Sequence, residues 1–467
     1  MPQAPVSDFS SDVGALIQSL PENLRNRFSL NRGIRDQHGQ GEDRFGTIAP
    51  DAVFYASSSE EAMRLLKACN ELRIPVIPYG AGTSCEGQLI AVQGGVSLDL
   101  SEMDAIIAVD QDDMTCRVQA GVTRKRLNHE LRHLGLFFPV DPGADASIGG
   151  MAATRASGTN AVRYGTMREN VMGLTVVTAQ GELITTGGKA TKSSAGYDLT
   201  RLFVGSEGTL GVMTEIQLKL HPIPDVIKAA VCSFETLDSA VNSVILAIQS
   251  GIPMARIELL NSLQMDACIR YSKLQGFESK PTLFLEFHGS SAYVQEQIDA
   301  LQAITQELGG SDYRWAETTE ARNELWKARH EAYFAGQSIK PGFTALATDV
   351  CVPISKLAEN LLAAEQKALE LELCCPIVGH VGDGNYHMLI LFDSEDAAQS
   401  QRASALSGFL VDNALSSGGT CTGEHGIGYG KKAYLLQEHG AAVELMKTIK
   451  KALDPQLIMN PGKVLDL

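Results

Sequence analysis

The heptapeptide PYGAGTS (78–84) leaves a strand-like run, IPVIP (74–78), and leads to another, GGVSLDLS (94–101), rather than to a helix. That order restricts the fold more than any other feature of the chain. Successive main-chain N–H groups in a glycine-rich loop form an anion-binding concavity, and glycine lets a phosphate approach the backbone. A Rossmann fingerprint must open a helix and a Walker loop must continue into Gly-Lys-Ser/Thr, and neither condition is met. Alone, such a loop is more often an ordinary tight connection. Two further small-residue segments, SIGGMAATRASGT (147–159) and GSEGTLG (205–211), change that balance. Three such loops in one unit predict a long cofactor with several contact zones.

At 467 residues the chain is too long for one core, and at roughly 100–200 residues per domain two or three domains are expected. Apolar residues make up 44% and charged residues 20%, the balance of a soluble globular protein. The formal charge, 39 − 55 = −16, argues against non-specific nucleic-acid binding. Nine cysteines at irregular spacing, with no C-x-x-C, predict reduced thiols rather than disulfides, a cysteine zinc site or an iron–sulfur cluster. The N-terminus MPQAPVSDFSSD is polar and acidic, unlike a signal or transit peptide. No apolar run approaches the ~20 residues of a membrane span. A cytoplasmic protein is expected, with peripheral docking at the inner membrane left open.

Periodicity divides the chain into a helical lead-in (1–49), a first domain (50–225), a second (226–422) and a closing segment (423–467). In the first, a strand at 53–56 precedes a helix with Ser58 and Glu61 spaced as a capping box. Ala62, Leu65, Leu66, Cys69 and Leu72 follow at helical spacing. Strands are expected at 115–122, 171–178 and 183–186, the last two around a Gln180-Gly181 turn, with a helix ending at Gly135. The second domain reads as strands at 229–233, 282–288 and 345–352 with helices at 237–249, 292–308, 318–335 and 355–372. That is an α+β layer with antiparallel pairing.

VGHVGDGNYHMLILFD (378–393) ends like a strand, yet its middle is a polar turn between two histidines. Seven positions apart on an unbroken strand, the rings of His380 and His387 would face opposite ways. A fold-back through Gly382-Asp383-Gly384-Asn385 would bring them together. GEHG (423–426) adds Glu424 and His425 between glycines. Two imidazoles and a carboxylate suit Zn²⁺ or Mn²⁺ with positions open to substrate. Adjacent residues project differently, so Glu424 and His425 should do separate work.

PYGAGTSCEG, DPGADASIGG, VRYGTMRENVMGLTVVTAQGEL, GSEGTLGVMTEI, GHVGDGNYH, GEHGIGYGKK and LDPQLIMNPGKV occur in that order. Together, from about residue 45 to the C-terminus, they resemble the FAD-dependent D-2-hydroxyacid dehydrogenases of the vanillyl-alcohol-oxidase/PCMH flavoprotein family. The resemblance implies an α+β protein: a PCMH-type FAD-binding domain of two α/β subdomains, and a substrate or cap domain with an antiparallel sheet. The C-terminal segment would return to the FAD domain.

The resemblance further implies that Pro78, Tyr79, Gly80, Ala81, Gly82, Thr83 and Ser84 hold the pyrophosphate of FAD. Pro142, Gly143, Ser147, Ile148, Gly149, Gly150, Ala153, Thr154 and Gly158 would line its central portion. Glu207, Gly208, Gly211 and Val212 would lie at the adenine side or flavin edge, and Asn460 would reach back toward the flavin. Thr83 stands where some relatives carry a flavin-linking histidine, so non-covalent FAD is expected. His380, His387 and Glu424 would bind the metal and His425 would be the base. Arg329, in the W-x-x-R segment with Trp326, would clamp the substrate carboxylate. Asn385 would join His380, His387, His425 and Arg329 around the substrate.

Oxidation of an alcohol beside a carboxylate needs loss of the hydroxyl proton and of a hydride. A bound cation lowers the hydroxyl pKa, and a histidine with a pKa near ~6.5 can accept its proton. Relatives acting on dicarboxylic substrates tend to carry a basic residue where this chain reads Ala347-Thr348-Asp349. D-lactate is therefore the expected substrate, with D-2-hydroxyglutarate or glycolate as alternatives. A quinone, a cytochrome or an electron-transfer flavoprotein is the expected electron acceptor, nucleic acid is excluded, and a homodimer stays open. A metallohydrolase using the same His/His/Glu group is the alternative from another class, and a non-catalytic nucleotide-binding module is a third.

Overall fold

The computed structural model describes residues 9–316 and 318–467. Most of the acidic N-terminal stretch therefore lies outside the described residues. The chain forms two compact units. The first takes in the chain up to Ser157, Gly165–Ile223 and Glu424–Leu467; the second takes Gly158–Tyr164 and Pro224–Gly423.

The first unit is built on two main sheets, with the two-stranded pair Leu136–Phe137 and His221–Pro222 as a third. In the smaller main sheet, the strands Ala52–Tyr55 and Val76–Tyr79 both pair parallel with Val96–Asp99, and Phe28–Ser29 adds an antiparallel edge. The helix Ser59–Leu72 connects the first two, which need a crossover because they run parallel. Ser58 caps this helix by accepting from the Glu61 N–H. The reciprocal bond of a capping box is shifted: Glu61 accepts from the Ser57 N–H and hydroxyl. Ala62, Leu65, Leu66 and Cys69 are buried as the spacing predicts, whereas Leu72, in the last turn, is exposed. Each buried leucine there contributes on the order of 2 kcal/mol.

The larger sheet runs Ile106–Asp110, Thr115–Gln119, Val212–Lys219, Val171–Val177, Leu183–Gly187, antiparallel throughout. Gly181 has φ +77° at the predicted turn of its last hairpin. The segment 147–159, read as a loop, departs from expectation: Ile148–Thr154 is a helix, with Ser147 accepting from the Gly150 N–H as its cap. Small residues permit the helix here because Gly149 lies directly against Ala120. The closing segment meets the edge of the smaller sheet, where Val76 N–H donates to the Ile458 carbonyl and Asn460 N–H to the Val76 carbonyl.

The second unit is an eight-stranded antiparallel sheet. Its path is Ser311–Ala316, Val226–Ser233, Thr282–Gly289, Arg256–Leu260, Ile377–Gly379, Asn385–Phe392, Thr344–Ala347, with Val350–Cys351 pairing on Asn385–Phe392 as well. Three features correct the sequence reading. Arg256–Leu260 and the helix Ser262–Ser272 were not anticipated. The helix expected at 318–335 is two, Thr319–His330 and Ala332–Gln337, parted at Glu331. The strand expected at 345–352 is interrupted at Thr348-Asp349, whose polar groups are used inside the unit. All nine cysteines are reduced, and burial pushes the Cys116 and Cys375 thiols up to about 12. No described helix is long and apolar enough to cross a membrane.

Candidate active site

In the first unit the three small-residue segments converge. A Cβ built on Gly80 would stand 2.3 Å from the Ser147 hydroxyl, and one on Gly208 would stand 2.9 Å from the Pro78 ring. Only bare backbone allows such closeness. Tyr79 packs its ring on His38, centroids 4.1 Å apart, and His38 is held by Asp99 at 2.8 Å. Ile148 is buried in the core, and Gly149 packs on Ala120. Pro142, Gly150, Ala153 and Thr154 are half-buried, as are Gly82, Thr83 and Ser84, while Gly143 and Ala81 are exposed. The Ser84 and Ser206 hydroxyls are buried and make no hydrogen bond with the described residues. Glycine backbone together with hydroxyls short of partners fits a phosphate-bearing cofactor. Gly158 belongs to the second unit.

The Glu207 carboxylate is held inside the first unit. It accepts from the Ile427 and Gly428 N–H groups and from the Gln88 amide, each at 2.8 Å. Burial pushes this carboxyl up, against the pull of those donors and of Lys431. Gln88 also donates to the His425 carbonyl at 2.9 Å, so Glu207 and Gln88 fix the turn that carries His425. Gly426 and Gly428 have φ +84° and +49°, and a Cβ at Gly428 would stand 2.1 Å from the Glu86 carbonyl oxygen. His425 Nδ1 is 3.9 Å from Glu86, which pairs with Lys431 at 3.2 Å. Asn460 donates to the carbonyls of Glu207 and Gln88, joining the same strands of chain. Gly211 and Val212 are buried, and Val212 opens the central strand of the larger sheet.

In the second unit the fold-back read from the sequence is present. Val378 pairs with His387, a short turn follows His380, and Gly384 reverses the chain at φ +78°. The two imidazoles meet edge to face, centroids 5.5 Å apart. His387 Nδ1 is 3.0 Å from the Thr348 carbonyl. A carbonyl only accepts, so that nitrogen carries the proton and Nε2 the lone pair. His380 Nδ1 lies 2.8 and 3.0 Å from the two oxygens of Glu258, and the same logic applies. The chain leaves this unit at Gly423 and Glu424 comes next; the ligand atoms that His380, His387 and Glu424 can offer all lie within 4.8 Å of one another. Two Nε2 lone pairs and a carboxylate are a donor set that fits Zn²⁺ or Mn²⁺.

Arg329 is buried, and its Nε and Nη2 both donate to Glu258. Burial pushes the Glu258 carboxyl up, but Arg329 and His380 outweigh it and hold it below the usual carboxylate range. Asn385 donates to Asp349 and to the Val350 carbonyl, each at 2.8 Å, while Thr422 donates to the other oxygen of Asp349 at 2.7 Å. The amide of Asn385 thus fixes the backbone beside His387. Trp326 stacks under the Arg256 guanidinium, 4.6 Å away, rather than under Arg329. Sequence reasoning missed Glu258, Glu86, Gln88 and Lys431. Glu258 had one signal: a carboxylate alternating with Arg256 inside the apolar run RIELL.

A model of the FAD binding domain matches residues 50–187, and one of the FAD linked oxidases, C-terminal domain, matches residues 223–464. The chain belongs to the FAD-linked oxidases, within the vanillyl-alcohol-oxidase/PCMH flavoprotein family. It is 50% identical over 443 residues to a probable mitochondrial D-lactate dehydrogenase of Danio rerio, covering 94% of this chain and 89% of that one. It is 46% identical to the mitochondrial D-lactate dehydrogenase (cytochrome) of Arabidopsis thaliana, covering 96% of this chain and 80% of that one. A structure of p-cresol methylhydroxylase superposes with TM-score 0.80 at 18% identity, covering 99% of this chain and 98% of that one, a likeness of fold. This FAD-linked oxidase is therefore an FAD-dependent oxidoreductase. That identity sets aside the metallohydrolase alternative.

Proposed function

We infer that this FAD-linked oxidase oxidises D-lactate to pyruvate with non-covalent FAD and a divalent cation, Zn²⁺ or Mn²⁺. The observation that carries the reading is the joining of His380, His387 and Glu424 within 4.8 Å, in a chain half identical to a relative named for D-lactate. FAD, when bound, supplies the hydride acceptor, and a cation at the His/His/Glu group supplies Lewis acidity toward the substrate hydroxyl.

The chain's own residues do the rest. His425 takes the hydroxyl proton, and the Glu86 carboxylate, 3.9 Å from its Nδ1, favours the imidazolium that forms. Glu207 and Gln88 hold the turn so that His425 keeps its place. Arg329 spends Nε and Nη2 on Glu258, which leaves Nη1 as the edge to meet a substrate carboxylate. Near the interrupted strand, Asp349 is committed to Asn385 and Thr422, and no basic side chain stands at 347–349 to hold a second carboxylate. This favours a small monocarboxylate over a dicarboxylate.

Electrons leave to an acceptor other than NAD; the Arabidopsis relative's name supports a cytochrome, and a quinone or an electron-transfer flavoprotein would serve the same chemistry. A cytoplasmic or membrane-peripheral location goes with this reading on the composition of the chain, while both relatives are named mitochondrial proteins. The test is anaerobic bleaching of the flavin by D-lactate, glycolate and D-2-hydroxyglutarate in turn. D-lactate should give the highest kcat/KM. A preference for D-2-hydroxyglutarate would overturn the specificity argument, and no bleaching by any of the three would overturn the function.

A further inference from the structure

We propose that Glu258 is a positioning residue that sets the tautomer and aim of His380 as a metal ligand and ties that ligand to Arg329. The proposal rests on the reading of His380 as a ligand and deepens it. The backbone puts the carboxylate in place. The strand Arg256–Leu260 runs antiparallel to Ile377–Gly379, with Leu260 opposite Val378 and Leu259 opposite Gly379. One step further along this register, Glu258 stands across from His380. Its side chain is 1% exposed and both its oxygens face His380 Nδ1, at 2.8 and 3.0 Å.

An ionised carboxylate can only accept, so the His380 proton sits on Nδ1 and the lone pair is on Nε2. His387 reaches the same state through a backbone carbonyl, which is neutral. The two ligands therefore differ: His380 is hydrogen-bonded to a carboxylate, whereas His387 is hydrogen-bonded to a carbonyl with the Asp349 carboxylate farther off, at 3.8 Å. A carboxylate behind an imidazole raises its basicity toward a metal. Arg329 contributes a second constraint. By donating twice to the Glu258 oxygen Oε2, it stops the carboxylate from turning away from the imidazole. Placed by a sheet register and clamped from behind, Glu258 couples the cationic side chain proposed for the substrate to the ligand proposed for the metal.

The experiment compares wild type with Glu258→Gln and Glu258→Asp, all carrying FAD. Metal-free protein is titrated with Zn²⁺ and with Mn²⁺ against a competing chelator, and ¹⁵N-histidine NMR of the metal-free state reports the His380 tautomer. Wild type should show the Nδ1-protonated form. Glu258→Gln, whose amide can donate to the ring, should lose that form and bind metal about 10- to 100-fold more weakly, the usual effect of removing such a partner. Glu258→Asp keeps the charge beside buried Arg329, and with the carboxylate drawn back by one methylene it should show a smaller loss with its thermal midpoint near wild type. That variant decides the matter where Glu258→Gln does not fold. Unchanged affinity and tautomer in the folded variants would overturn the proposal. Wild type that binds neither Zn²⁺ nor Mn²⁺ would instead overturn the metal reading on which it rests.

Discussion

Two side chains of the first unit carry predictions of their own. His425, held by the Glu207–Gln88 turn, is the proposed base. His425→Ala should keep FAD and metal while flavin reduction by saturating D-lactate slows by roughly 10²–10⁴-fold. Anaerobic stopped-flow measures this directly, and a near-wild-type rate would assign the proton to another group. Lys463 is buried, donates to the Ile90 carbonyl at 2.5 Å, and is pushed down to about 7 by burial and by nearby Lys432. In the unfolded chain a lysine stays protonated to about pH 10.4. Between about pH 7 and that value the unfolded state binds the extra proton, so this group's contribution to stability rises with pH. Below pH 7 both states are charged and the slope vanishes. Wild-type denaturant midpoints should therefore rise between pH 7 and pH 9, and Lys463→Met should flatten that rise.

At the scale of an element, the helix Ile148–Thr154 shows packing overriding propensity. Glycine in a helix normally costs about 1 kcal/mol relative to alanine. At Gly149 the sign should reverse, because an added Cβ would stand 2.6 Å from the Ala120 Cβ and 3.0 Å from its carbonyl oxygen. Gly149→Ala should destabilise the protein by about 1–3 kcal/mol, the usual cost of overpacking. Thermal denaturation with and without added FAD would read the loss. An increase in midpoint would mean that the helix can shift away from the strand Thr115–Gln119 and its continuation. The hairpin at His380 follows the opposite logic. Gly384 sits at φ +78° with the Val352 carbonyl oxygen 2.1 Å from where a Cβ would stand, so the turn and the histidine register depend on the missing side chain.

Over the whole molecule, the chain passes between its two units four times, leaving the first at Ser157 and Ile223 and returning at Gly165 and Glu424. The FAD binding domain match ends at 187, while the closing segment supplies Asn460 and the His425 turn to the same first unit. Loss of the last turns should thus harm the first unit rather than the second. The cofactor prediction belongs at this scale. Thr83 offers no imidazole for a flavin bond, so acid precipitation of the purified protein should leave FAD in the supernatant. Flavin retained on the precipitated polypeptide would place a covalent link at some other side chain.

The amino-acid order alone carried much of this. Glycine segments without a following Rossmann helix, histidines around a Gly-Asp-Gly-Asn turn, and small residues near a glutamate are local patterns, and local patterns survive in one dimension. The helix Ser59–Leu72 and the Gln180-Gly181 turn were legible for the same reason. Strand Arg256–Leu260 was not, because two charges alternating with apolar residues over five positions read as a short solvent-facing stretch, and only partners far along the chain explain why Glu258 is buried. Glu258 is buried because Arg329, 71 residues on, supplies its counter-charge and His380, 122 residues on, donates to it. Glu207 is buried with donors at Ile427 and Gly428 that come from 220 and 221 residues away, which no local pattern announces. A charge can be buried only where its counter-charges and donors converge, and that convergence belongs to the folded chain.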